Sequence, residues 1–215
     1  MIRKINLVIE IKSMKAAFYF PLFCYFVILL QFIFVEKFEF YQFWLLEFFF
    51  VPLSSWWTVF LFYEYFEENN AELLFSYPVS AFFHGVARVV IFFLLYLMLL
   101  VSLMLVICLR FDKMNLLSLC VQYIPEAVFF SGISFVIVIV SKNILIPLIV
   151  NGFYVASEYF AKDIFPWYHV MFFNQYPLDI SEVYVKSSIT LLLGILCFFF
   201  GHLLLKKQVE GNFFH

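Results

Sequence analysis

Charge is what this sequence has least of. Only 13% of its 215 residues are Asp, Glu, Lys or Arg, about half the share found in soluble domains, which excludes an ordinary water-soluble globule. Glycine and proline number 6 and 7 and are scattered, so no flexible linker divides the chain and one membrane domain, 1–215, is expected. The glycines at Gly85, Gly132, Gly152, Gly194, Gly201 and Gly211 never form the G-x-x-x-x-G-K-[ST] loop that cradles nucleotide phosphates. The chain is therefore not expected to hydrolyse ATP or to bind a cofactor of its own. The four cysteines, Cys24, Cys108, Cys120 and Cys197, make no C-x-x-C pair and fall within apolar runs, where they read as small core residues. A strict alternation of polar and apolar residues is also missing, which argues against an outer-membrane barrel.

What remains is apolar. Hydrophobic residues make up 66% of the chain and aromatic residues 24%, in runs of about 17 to 25 residues, long enough for helices to cross a hydrocarbon core of roughly 30 Å. The expected fold is all-α and integral to a membrane. Six spans are predicted, at 16–35, 40–65, 86–109, 116–140, 144–160 and 188–205, with kinks near Pro21, Pro52, Pro125 and Pro147. The opening MIRKINLVIEIKSMKAAFYF carries basic residues ahead of a long apolar run but has no A-x-A-like cleavage site, and so reads as a first anchor helix.

Placing the N-terminus in the cytoplasm puts Arg3, Lys4, Lys12, Lys15, Arg88, Lys142, Lys206 and Lys207 inside, with Lys37, Arg110, Lys113, Lys162 and Lys186 outside. Basic residues accumulate on cytoplasmic faces, so both termini are expected there. The segment from Ala161 to Ser187 then lies outside. It is too aromatic for a solvated loop and is interrupted by Pro166 and Pro177, so short interfacial or re-entrant helices are expected, with Trp167, Tyr168 and Tyr176 at headgroup level.

The stretch FEENNAELLFSYPVSAFFHGVAR, 66–88, falls on the cytoplasmic side. Asn70 is suited to cap a short helix, with Glu72 in its first turn. Leu73, Leu74 and Tyr77 share roughly one face, ringed by Glu67, Glu68 and Glu72. Pro78 stops that helix and opens the next, which leads through Ser80 and Phe82 to Arg88, expected at the membrane edge with its guanidinium reaching water or phosphate. Helices that lie on anionic membranes carry Lys and Arg, whereas this segment carries acids. It suits a basic protein groove better than a bilayer.

Glu72-Leu73-Leu74, Ser76 and Pro78-Val79-Ser80, set between two spans, resemble the E-x-L-L-x-S-P-V-S-like signature of the ABC-2 type transporter permease family. Tyr77 separates serine from proline where many members have them adjacent. The six-span plan, cytoplasmic termini and aromatic outer loop resemble that family as well. The resemblance implies a permease subunit of an ABC exporter in a bacterial plasma membrane, paired with a second copy or a paralogue. It implies an ATPase-coupling segment formed by Glu67, Glu68, Glu72, Leu73, Leu74, Ser76, Tyr77, Pro78 and Arg88, which docks on a separate cytoplasmic ABC ATPase holding the ATP and Mg. Hydrophobic or cationic peptides, drugs and lipids are the cargo classes it admits.

Glu47, Glu126 and Glu158 fall inside predicted spans, where a carboxylate is costly enough to be a candidate functional group. Two readings stay open: an acidic lining of a substrate pathway that accepts cations or titrates, and protonated or paired carboxyls that fix helix packing. His169 and His202 lack a second ligand at metal spacing. Two other functions are weighed. Intramembrane CAAX-type proteases carry E-E-x-x-x-R and F-x-x-x-H; here Glu67-Glu68 is followed by Glu72 in place of Arg, while Phe165 to His169 fits the second pattern. The predicted topology places those two motifs on opposite sides. A structural subunit of a larger membrane complex is the third class.

Overall fold

The computed structural model describes residues 7–35, 40–66, 82–111, 114–161, 164, 168–173 and 180–211. Among them every regular element is helical: α1 Leu7–Met14, α2 Tyr19–Phe34, α3 Phe40–Trp44, α4 Ser54–Phe60, α5 Tyr63–Phe66, α6 Arg88–Arg110, α7 Leu116–Ser141, α8 Leu145–Phe160 and α9 Ile180–Gly211. Such a chain meets its own backbone hydrogen bonds inside each segment, which is the condition for lying in lipid.

Five helical runs have the length and composition to cross a membrane: Leu7–Phe34, Tyr41–Phe60, Gly85–Arg110, Leu116–Ser141 and Val183–Gln208. The fifth predicted span, 144–160, is the 16-residue α8, about 24 Å at 1.5 Å per residue and so shorter than the hydrocarbon core. Six full spans are thus not seen. The first run begins nine residues before the predicted 16–35 and is made of two helices. Lys15 takes a left-handed conformation, φ 53°, and a tight 3-10 turn over Lys15–Phe18 joins α1 to α2. Carbonyls in that turn are taken by two neighbouring indoles, Trp56 Nε1 donating to Ala17 O at 2.9 Å and Trp57 Nε1 to Phe18 O at 3.0 Å.

The second run is interrupted as well. Leu45–Phe50 winds as a wide π-type turn between α3 and α4, and Pro52 follows with no amide hydrogen to give. The Tyr96 hydroxyl donates to the Phe50 carbonyl at this break. Small polar side chains tie α4, α7 and α8 together: Ser54 Oγ to Ala127 O at 3.0 Å, Thr58 with Ser131 at 2.7 Å and Asn151 Nδ2 to Ser134 Oγ at 2.6 Å. Interhelical bonds of this kind, rather than water exclusion, hold helices together in lipid.

The pair α7 and α9 packs most extensively. A Cβ added at Gly132 would lie 2.5 Å from the Gly194 carbonyl oxygen, and one at Gly194 would lie 2.8 Å from the Phe129 amide nitrogen. Only residues without a Cβ allow two backbones this close. Aromatic stacking fills the core between the first two helical runs and α6, with Phe18 on Trp57 at 5.3 Å and Phe50 on Tyr96 at 5.1 Å.

Candidate functional site

Two polar clusters stand out among the described buried residues, the first at the start of α6. At its start, Arg88 is only 6% exposed. Its guanidinium pairs with Glu10 of α1, donates to the Tyr65 hydroxyl at 2.6 Å and donates to the Leu61 carbonyl at 3.0 Å. The expected placement, with the guanidinium reaching water or phosphate, is corrected: it lies among protein groups. The cause is Glu10, one turn inside α1, which draws the guanidinium into an ion pair between the helices. Tyr65 and Arg88 stand at the two roots of the segment 67–81, so the cluster fastens both roots to α1. Glu67, Glu68, Glu72, Leu73, Leu74, Ser76, Tyr77 and Pro78 lie outside the described residues.

The other cluster gathers the three intramembrane carboxyls predicted from the sequence. Glu47, Glu126 and Glu158 are each 1% exposed and come from three elements: the Leu45–Phe50 turn, α7 beside Pro125, and the last turn of α8. The Glu47 and Glu126 carboxyls lie within hydrogen-bonding reach of one another. Neither carboxylate brings a donor to that contact. Glu47 Oε2 and both oxygens of Glu126 accordingly face no donor among the described residues.

A non-helical strap, 168–173, closes over this cluster. The sequence led us to expect short helices between α8 and α9, and this described part is not helical. Its amides are met by side chains instead. Glu47 Oε1 accepts from the amides of Phe172 and Phe173, the latter at 2.9 Å. Lys186 Nζ of α9 donates to the Met171 carbonyl at 2.7 Å and lies 3.8 Å from the centre of the Phe172 ring. Tyr154 of α8 donates to the Tyr168 carbonyl at 2.7 Å and accepts from the Val170 amide at 3.1 Å. His169 Nδ1 pairs with Glu158 Oε1 at 2.8 Å. Irregular backbone persists at membrane depth only when protein groups satisfy it in this way, and Val170 and Met171 are fully buried. Phe173 closes the strap with a left-handed backbone, φ 52°.

Sequence reasoning named all three carboxyls but missed most of their partners. His169 was weighed as a metal ligand or protease residue, Lys186 as an exposed flanking base, and Glu10, Tyr65 and Tyr154 not at all. Tyr96, eight residues along α6 from Arg88, bonds the Phe50 carbonyl, so the Leu45–Phe50 turn that carries Glu47 lies beside the middle of α6.

Comparison with known protein families, with curated proteins and with solved structures finds no match for this chain. Its architecture is that of a helical membrane protein with several apolar helices.

Proposed function

We propose that this chain is the permease subunit of an ATP-driven ABC exporter, paired with a second copy or paralogue and driven through the 66–88 segment by a separate cytoplasmic ATPase. The reading rests on the Glu72-Leu73-Leu74 to Ser80 signature. The observation that carries it furthest is the buried Arg88 cluster. A segment that receives force from a partner must be anchored stiffly at its roots, and Arg88 joins both roots to α1 by an ion pair and two further hydrogen bonds. A push on the segment then moves α1, α5 and α6 together, and α6 carries it toward the carboxyl cluster.

In this reading the partner holds ATP and Mg, and closure of its dimer supplies the push. Glu47, Glu126 and Glu158 stand on the substrate-facing half, and the cargo is a hydrophobic or cationic peptide, drug or lipid. The test is co-expression with the product of a neighbouring reading frame that carries a Walker A loop. Co-purification of that ATPase, lost in the Leu73→Asp/Leu74→Asp double variant, is expected. Retention of the ATPase by that variant would overturn the coupling assignment.

A further inference from the structure

The carboxyl cluster carries an inference that does not depend on the transporter reading. Among the described residues, the groups that face Glu126 come from four elements. Glu47 is in direct reach; Lys186 of α9 and Glu158 of α8 lie within electrostatic range; Tyr123 of α7 lies near both Glu47 and Glu126. Tyr154 of α8 and His169 of the strap are engaged with Glu158 and with strap backbone. The cluster thus holds three carboxyls and two basic groups among the described residues. Glu158 is matched by His169 at 2.8 Å. Glu47 is matched by two backbone amides, while the charge of Lys186 is in range of Glu47 and Glu126 alike and neither Glu126 oxygen has a donor among the described residues. Glu126 is the carboxyl left over.

A second observation concerns donors. Besides Glu47 Oε2 and the two Glu126 oxygens, Gln122 Oε1 is buried without a donor. Gln122 is 2% exposed and sits one helical turn before Glu126, on the same face of α7. Acceptors outnumber donors here, and such a deficit is met by something that brings hydrogen and positive charge. Two carboxyls in contact in an apolar setting cannot both ionise at a tolerable cost.

We infer that Glu126 is a proton-binding site, taking one proton from the aqueous phase and sharing it with Glu47. The new O–H on Glu126 supplies the missing donor to Glu47 Oε2. Movement of α7 away from the Leu45–Phe50 turn separates the pair and removes the reason for holding the proton, so the site links helix movement to uptake or release of one proton. Pro125 precedes Glu126 and deprives α7 of one backbone bond there, which makes this turn the pliant part of the helix.

The probe is dicyclohexylcarbodiimide, which modifies carboxylic acids in apolar surroundings and leaves carboxylates alone. The full chain in lipid nanodiscs is treated at acidic and at alkaline pH, and modified peptides are read by mass spectrometry. Modification at Glu126 is expected at acidic pH, with loss as pH rises. In Glu47→Gln the carboxyl that shares the proton is gone, so modification at Glu126 should fall away at a lower pH than in the wild-type chain. An unmodified Glu126 in the wild-type chain at every pH overturns the inference. So does a Glu126 that is modified equally in Glu47→Gln, because burial alone would then account for the proton. If that variant does not fold, the wild-type infrared spectrum decides: a protonated-carboxyl band that titrates with pH supports the site, and its absence overturns it.

Discussion

Removing Arg88 alone should be far more damaging than removing it together with Glu10. The Arg88 and Glu10 side chains are 8% and 16% exposed, so Arg88→Met leaves a carboxylate in a mostly dry setting. It also strips the Tyr65 hydroxyl and the Leu61 carbonyl of their donor. Breaking a buried pair from one side costs about 3–5 kcal/mol. Partial exposure of Glu10 softens that loss, which places the expectation at roughly 3 kcal/mol. Glu10→Leu alone strands the guanidinium and should cost a similar amount. The double variant replaces both ions by apolar groups of similar bulk, a change that is often close to neutral, and should recover all but about 1 kcal/mol. The assay is a double-mutant cycle from reversible unfolding in mixed micelles, with thermal aggregation in detergent as a second readout. Additive single effects, giving a coupling energy near zero, would refute the reasoning, since the two side chains would then be independent.

Other expectations follow from particular contacts. Gly132→Ala sets a methyl against the Gly194 carbonyl and should destabilise the chain by about 1–3 kcal/mol in unfolding free energy. Glu47→Ala removes the acceptor of the Phe172 and Phe173 amides, at roughly 1–3 kcal/mol for each stranded group. Hydrogen exchange across 168–173 should quicken about tenfold to a hundredfold, while Glu47→Gln, which keeps an acceptor oxygen, should change it little. Asn143 Oδ1 caps α8 by accepting from Leu145 at 2.7 Å, so Asn143→Ala should cost about 1 kcal/mol in unfolding free energy. Lys142, with φ 50° at the end of α7, should tolerate Gly with equal or better stability and lose roughly 1 kcal/mol or more with Val.

The apolar helices were legible where a long apolar run defines them. The spans predicted at 86–109 and 116–140 are the helical runs Gly85–Arg110 and Leu116–Ser141. Prediction fell short where charge enters a helix. Glu10 and Lys12 read as a polar leader, yet α1 forms there because Arg88, distant in sequence, neutralises Glu10. Lys186 read as the far side of a boundary, yet α9 begins at Ile180 because the strap offers Lys186 a carbonyl and an aromatic face. The cost of Glu47, Glu126 and Glu158 at depth was visible from residue type and position. That Glu47 and Glu126 meet was not, because it depends on the π-type turn over Leu45–Phe50 and on the crossing of separate helices, and one sequence sets neither register.

The central claim, that the 66–88 segment engages an ATPase, is tested most directly by a photo-crosslinking amino acid placed at Leu74 in the cells that express this chain. Irradiation should trap a cytoplasmic protein whose sequence carries a Walker A loop, and the adduct should disappear when Leu73 is changed to Asp. Adducts confined to lipid, or to a protein without that loop, would contradict it.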